Sequence, residues 1–320
     1  VSNSVPNFNH ETVLLMETVM SLQPHPGGFY IDCTLGGGGH TLEILRQSEP
    51  DGRVLCLDQD TDALENAEKV LKGFLGTRAT LVHANFRNLG AVAEEHGFAA
   101  VQGIVFDLGV SSPQFDRAQR GFSYRLDAPL DMRMDMTAGI SAGDIVNEWD
   151  EGQLADIFFR FGEEKFSRRI ASKIVETRAQ HYIGTTAELA ELVKTAIPAA
   201  TRRTGGHPAK RVFQALRIAV NDELGALAAG LEQAFERLTT GGRMAVISFH
   251  SLEDRMVKQQ FANWAQGCTC PPDFPVCQCG RTARAKVVTR KPIVPSATEQ
   301  ERNSRSQSAK LRVVEKLDTN

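Results

Sequence analysis

The chain has 320 residues, 42% hydrophobic and 23% charged, with a formal net charge of −3, an ordinary globular mix that allows one large domain or two. No stretch approaches the roughly 18 apolar residues of a membrane span. Residues 1–16 carry neither a basic n-region nor a long apolar h-region, so a cytoplasmic location with no membrane partner is expected.

The first third alternates strand and helix patterns. Residues 29–33 form a short apolar run that ends in glycines, and a helical stretch follows around 41–47. Residues 54–57 make a second buried-type run. Over residues 62–74 a helix places Leu64, Ala67, Val70, Leu71 and Phe74 on one face. Residues 80–83 and 104–108 are further strands. Such alternation predicts a parallel sheet covered on both faces.

From Ser112 to about Lys210 the pattern holds loops and helices and no convincing strand. Residues 113–135 form a long polar loop. Leu154, Ile157, Phe158 and Phe161 then share a helical face, as do Phe166, Ile170 and Ile174. Thr185 and Glu188 make a capping box before Leu189, Leu192, Val193 and Ala196. A long helical region begins at Pro208, with Leu224, Leu227, Leu231, Phe235 and Leu238 in step, and Gly241 and Gly242 end it. Residues 244–249 are a strong buried strand, and 286–289 and 311–314 are late strands. The expected architecture is an α/β core of residues 1–112 and 211–320, interrupted by an all-helical substrate-recognition domain of residues 113–210.

The segment Tyr30-Ile31-Asp32-Cys33-Thr34-Leu35-Gly36-Gly37-Gly38-Gly39-His40 carries the chain from a strand through glycines into a helix. Glycine lets a ligand approach the backbone, and a helix N-terminus offers N–H groups, so this is a cofactor cradle at the carboxyl edge of the sheet. A dinucleotide fingerprint fails, because the sixth position is Thr41 or Leu42, and the lysine of a phosphate loop is absent. Asp32 repels pyrophosphate but tolerates the cationic sulfonium of S-adenosylmethionine. Asp58 ends the second strand, where a carboxylate accepts ribose hydroxyls. Phe86 follows the third strand and lies against an adenine or packs in the core. Asp107 ends the fourth, at the position facing a methyl group in transit. Apolar flanks make a lone aspartate there costly unless it is used or paired.

Longer motifs carry a family resemblance. The runs Asp107-Leu108-Gly109-Val110-Ser111-Ser112-Pro113-Gln114, Arg120-Gly121-Phe122-Ser123, Pro129-Leu130-Asp131-Met132-Arg133-Met134-Asp135 and Ser248-Phe249-His250-Ser251-Leu252-Glu253-Asp254-Arg255 resemble the RsmH family, also called MraW: ribosomal RNA small subunit methyltransferase H. Matches run from His10-Glu11-Thr12-Val13-Leu14-Leu15 to Ser308-Ala309-Lys310-Leu311-Arg312. The resemblance implies a class I, Rossmann-like S-adenosylmethionine-dependent methyltransferase core with an inserted helical domain. It also implies methylation of N4 of a cytidine in the decoding region of bacterial 16S rRNA. Cofactor contacts are implied at Gly38, Gly39, His40, Asp58, Phe86, Asp107 and Gln114.

Transfer of a methyl to an amine needs positioning and a hydrogen-bond acceptor, for which Asp107 and Ser111 are the candidates. Arg133, His250 and Arg255 are candidate RNA contacts, with an ion-paired loop and a buried histidine as the structural alternatives. RNA is expected between core and insertion, held by the polar loop and the C-terminal segment. That segment, residues 281–316, holds ten Lys or Arg against Glu299, Glu301 and Glu315. Its charge fits nucleic acid, and fits a solvated tail equally well. The partner expected is 16S rRNA in the small ribosomal subunit or its precursor, and a homodimer is left open.

Cys33 and Cys56 lie in apolar runs and are small core residues. Cys268, Cys270, Cys277 and Cys279 have the count for a structural zinc site. Their C-x-C spacing is tighter than the usual one, Pro271, Pro272 and Pro275 stiffen the loop, and catalysis does not need them, so the sequence leaves zinc open. A DNA amino-methyltransferase is the first rival, but its Asn/Asp-Pro-Pro-aromatic motif is absent after the fourth strand. A non-catalytic RNA-binding ribosome-assembly factor is the second, and such a scaffold has no need of the glycine turn and Asp58.

Overall fold

Strictly alternating apolar residues build a sheet that is buried on both faces. Along β2 (Arg53–Asp58), Leu55 and Leu57 join one hydrophobic cluster while Val54 and Cys56 join another. The same alternation runs through β1 (Phe29–Asp32), β4 (Val101–Asp107) and β5 (Leu238–Ser248). With β3 (Ala79–His83), β6 (Ala285–Val287) and β7 (Lys310–Lys316) they form seven strands in the order β3-β2-β1-β4-β5-β7-β6. Strands β1 to β5 are parallel, and β7 runs antiparallel to both β5 and β6. The computed structural model describes residues 12–199, 207–271 and 276–318. His10, Glu11, Pro272 and Pro275, singled out above, lie outside the described residues.

Two compact units divide the chain: Val1–Gly109 with Ala226–Asn320, and Val110–Gly225. The first is the α/β, Rossmann-like core. Helix α1 (Leu15–Leu22) precedes β1, and α2 (Gly39–Gln47), α3 (Thr61–Val70) and α4 (Leu89–Glu95) connect β1 to β2, β2 to β3 and β3 to β4. Cys33 and Cys56 are buried in it, as expected.

The second unit is helical: α5 (Ser112–Asp116), α6 (Ala142–Glu148), α7 (Glu151–Arg160), α8 (Ser167–Arg178), α9 (Thr186–Ala196) and α10 (Ala209–Asn221). Leu154, Ile157 and Phe158 of α7 pack with Ile170 and Ile174 of α8 and with Leu189 and Val193 of α9. Among its described residues there is no strand, only an isolated bridge between Pro129 and Thr185. No described helix is long and apolar enough to cross a membrane.

Four local expectations are corrected. The long helix from Pro208 is two helices, α10 and α11 (Glu223–Arg237), separated at Asp222, which turns left-handed at φ 46°. Gly241 and Gly242 do not end a helix. They lie inside β5, where the pairing with β4 skips from Val101↔Leu238 to Gly103↔Arg243. Thr185 caps α9 through the Glu188 N–H, but Glu188 turns its carboxylate to the Gly184 N–H at 3.1 Å, so the box is half made. The polar loop is a packed segment. Phe122, Leu130, Met132 and Met134 are buried in the helical core, and buried Arg120 donates to the carbonyls of Arg133 and Met134.

Phe235 of α11 is fully buried and stacks on Trp264 with 4.1 Å between ring centroids. Phe235→Ala is expected to lower the unfolding free energy by about 3–5 kcal/mol in urea denaturation. Phe159→Ala, at a ring 63% exposed, is expected to change it by no more than about 0.5 kcal/mol.

Candidate active site

The strand order reverses between β1 and β4, and such a sheet opens a ligand crevice outside the carboxyl ends of its strands at that point. Both strands end there on a carboxylate, Asp32 and Asp107, and β2 ends on Asp58. Burial obliges each to find donors. Asp32, 1% exposed, accepts the Thr34 N–H at 3.1 Å and the Thr41 hydroxyl at 2.7 Å. Asp58 accepts the Gly36 N–H at 2.8 Å and the Asp60 N–H at 2.9 Å.

These bonds fix the glycine turn. Thr34 and Thr41 tie it to the end of β1, and Gly36 ties it to the end of β2. Gly38 is the N-cap of α2 at φ 76°, where a side chain is strained, and no cap side chain closes the helix there. The N-terminus of α2 therefore faces the crevice with its backbone.

Asp107 is held through its backbone, and its side chain is 23% exposed. Its backbone N–H donates to Thr34 Oγ1 at 2.6 Å. Its Oδ2 lies 3.8 Å from Nδ1 of buried His40, beyond hydrogen-bond reach. Its Oδ1 is buried and has no hydrogen-bond partner among the described residues. Burial first, and then the negative charges of Asp32 and Glu253, push the Asp107 carboxyl up to about 8. Burial likewise pushes Asp32 and Asp58 up to about 6 against their hydrogen bonds. A buried carboxyl with one unmade hydrogen bond, at a crevice, is equipped to receive a proton or a polar hydrogen from a bound group.

Phe86 lies in the 3-10 turn that follows β3. Its half-buried ring meets Phe106 edge-on at 5.4 Å, and a Cβ on Gly230 would come within 2.8 Å of it. The ring thus packs closely onto α11, the core role weighed for it above.

The helical unit holds Ser111, Gln114 and Arg133. Buried Gln114 accepts the Ser111 N–H at 2.9 Å. Arg133 grips Asp131 with two parallel bonds, Nη2 to Oδ2 at 2.8 Å and Nε to Oδ1 at 3.1 Å. That hydrogen bonding raises the Arg133 guanidinium. The ion-paired alternative for this loop is the arrangement found.

His250 and Arg255 belong to the start of α12 (Ser251–Ala265). The His250 ring accepts the Glu253 N–H at 3.4 Å, and Glu253 accepts the N–H groups of Phe249 and His250 at 2.9 and 3.3 Å. This capping box was missed, although a polar residue three before Glu253 at a strand end is its signal. Arg255 is exposed. Several basic residues of the C-terminal segment take part in structural contacts. Lys310 and Arg312 pair with Asp254 at 3.1 and 2.7 Å, Arg284 pairs with Glu236, and Lys316 donates to the carbonyls of Phe235 and Glu236. Arg281, Lys286, Arg290, Lys291, Arg302 and Arg305 are exposed. The four late cysteines are brought together, every Sγ within 4.8 Å of the others.

Replacing His250 by Ala is expected to cost about 0.5–2 kcal/mol of stability through the lost cap, and His250→Asn to recover most of it, as measured by thermal unfolding.

The sequence profile of the MraW methylase family matches residues 7–317. Proteins named "Ribosomal RNA small subunit methyltransferase H" from Symbiobacterium thermophilum, Brevibacillus brevis and a Paenibacillus species are 57%, 56% and 58% identical to this chain. Each alignment covers 97% of this chain, and 97%, 99% and 100% of the respective relative.

Proposed function

The chain belongs to the MraW methylase family, and on that premise we propose that it methylates N4 of a cytidine in the decoding region of 16S ribosomal RNA, with S-adenosylmethionine as donor. The observation that carries this reading is the half-buried Asp107 carboxyl at the end of β4, with Oδ1 lacking a partner among the described residues and the group raised to about 8. The family relatives, named for the small-subunit RNA, supply the substrate class.

The residues of the crevice fit a cationic donor. Asp32, Asp58 and Asp107 cluster where burial has raised all three, so a neighbouring cation is favoured. When bound, S-adenosylmethionine supplies a methyl group on a positively charged sulfur, open to displacement by an amine. Gly38, Gly39 and His40 offer the N-terminus of α2, and Asp58 keeps lone pairs for ribose hydroxyls beyond the two it gives to backbone N–H groups. Half-buried Phe86 is the candidate adenine contact, and Gln114 a further candidate donor contact.

The cytosine amine is a poor nucleophile because its lone pair is delocalised into the ring. The Asp107 carboxylate draws out one amine hydrogen, which localises that lone pair, and takes the proton as the new bond forms. Ser111 assists as a second polar contact. Desolvation makes Asp107 a stronger base than an exposed carboxylate, and the nearby cation restores its charged form. Arg255 is the RNA candidate whose exposure suits a phosphate contact; Arg133 binds Asp131, and His250 caps α12. The helical unit and the exposed basic residues of the C-terminal segment supply the remaining RNA surface.

Transfer of labelled methyl from the donor to small ribosomal subunits and to naked rRNA, with nucleoside analysis, is expected to yield N4-methylcytidine. Another nucleoside would overturn the substrate assignment, and absence of donor binding in calorimetry would favour a non-catalytic assembly factor. Asp107→Asn is expected to lower turnover on the order of 100-fold or more, and full turnover with normal donor affinity would remove the acceptor role.

Donor binding carries its own signature. Below about 8 free Asp107 holds a proton, and a cation beside it favours the carboxylate, so binding releases a proton. Affinity for S-adenosylmethionine is therefore expected to rise as the pH rises toward about 8, and to level off above it. S-adenosylhomocysteine, which lacks the sulfonium charge, is expected to show a shallower dependence, and Asp107→Asn to flatten both.

A further inference from the structure

The loop between α12 and β6 is held at its base, and its described residues farther out are largely exposed. At the base, the Arg284 N–H donates to the Trp264 carbonyl at 2.8 Å, and Trp264 stacks on Phe235 and Phe261. Beyond it, Val276 is 71% exposed, and Cys268, Cys277 and Cys279 are exposed with Cys270 half-buried. Ordering such a segment costs about 1–2 kcal/mol per residue in backbone entropy, and no buried apolar side chain among its described residues offsets it.

Sulfur is where the ties across this loop converge. Cys268 Sγ lies 3.4 Å from Cys277 Sγ and 3.6 Å from Cys279 Sγ, Cys277 lies 3.5 Å from Cys279, and Cys270 lies 4.0 Å from Cys277. A disulfide bond measures about 2.05 Å, so none of these pairs is bonded. A tetrahedron of thiolates around zinc at about 2.3 Å has sulfur–sulfur edges of about 3.8 Å, and the four distances bracket that value. Backbone N–H groups also point at the sulfurs, Thr269 at Cys279 (3.4 Å) and Gln278 at Cys270 (3.3 Å). Such donors suit sulfur that carries negative charge. Four sulfurs with no histidine, carboxylate or open position fit a closed, structural site and a soft metal.

We propose that Cys268, Cys270, Cys277 and Cys279 bind one zinc ion, which folds the loop between α12 and β6. Two C-x-C pairs, one from each limb, close on a single ion, so the metal ties the two limbs together. The tight spacing that departs from the usual C-x2-C is accommodated because the limbs face each other. The site takes no part in methyl transfer and stands independently of the donor reading.

The test is metal analysis of the full chain, expressed with zinc and purified without chelator or metal affinity. One zinc per chain is expected. Cobalt in its place is expected to show the intense visible bands and sulfur-to-metal charge transfer of tetrahedral thiolate coordination. Cys277→Ser is expected to lose the metal and to expose the loop to limited proteolysis, while S-adenosylmethionine still binds in calorimetry. The proposal is overturned by zinc far below one equivalent together with a cobalt complex lacking those bands. It is equally overturned by Cys277→Ser retaining a full equivalent, or by thiol titration of the denatured, metal-free protein showing the four late cysteines oxidised.

Discussion

A carboxylate withdrawn from water must be given donors or lose its charge. That constraint organises the carboxyl edge of this sheet. Asp32 and Asp58 meet it with backbone N–H groups and a threonine hydroxyl, and in doing so they shape the turn that leads into α2. The glycines allow the turn, but the carboxylates hold it in place. Asp107 meets the constraint only in part, since one of its oxygens is left without a donor. Among three aspartates at neighbouring strand ends, two shape the turn and one keeps an unmade bond.

The same rule accounts for the rest of the charged architecture. Glu253 is buried, and it caps the helix that follows β5. Arg120 is buried, and it fastens a loop by its carbonyls. Asp254 gathers Lys310 and Arg312, so two residues of the basic segment hold β7 against α12. Near the sheet, charge is thus largely structural, while other basic residues of the C-terminal segment are exposed.

Much of this was legible in the sequence. Buried parallel strands read as short apolar runs, and all seven strands lie where such runs predict them. Asp32, Asp58 and Asp107 stood out because an aspartate at the end of an apolar run has few structural excuses. What was not legible depends on contacts distant in sequence. Gly241 and Gly242 look like a helix stop, and only the ladder with β4 draws them into a strand. The grip of Arg133 on Asp131 depends on Met132 between them, which takes a left-handed conformation at φ 64°. A methionine gives no hint of that. Phe86 seemed free to face a ligand because the sequence does not show that Gly230 clears a seat for its ring. The cysteine spacing stated the number of sulfurs but not that the two limbs face each other.

The place of β7 has a consequence for how the molecule comes into being. It is made after β6 yet lies between β6 and β5, so β6 has no neighbour in the sheet until its successor has emerged. The core likewise waits for α11 and β5, which follow the whole helical unit in the chain. Order of synthesis and order of assembly are therefore inverted: the contiguous helical unit is complete on the ribosome first, and the sheet closes from its C-terminal side last.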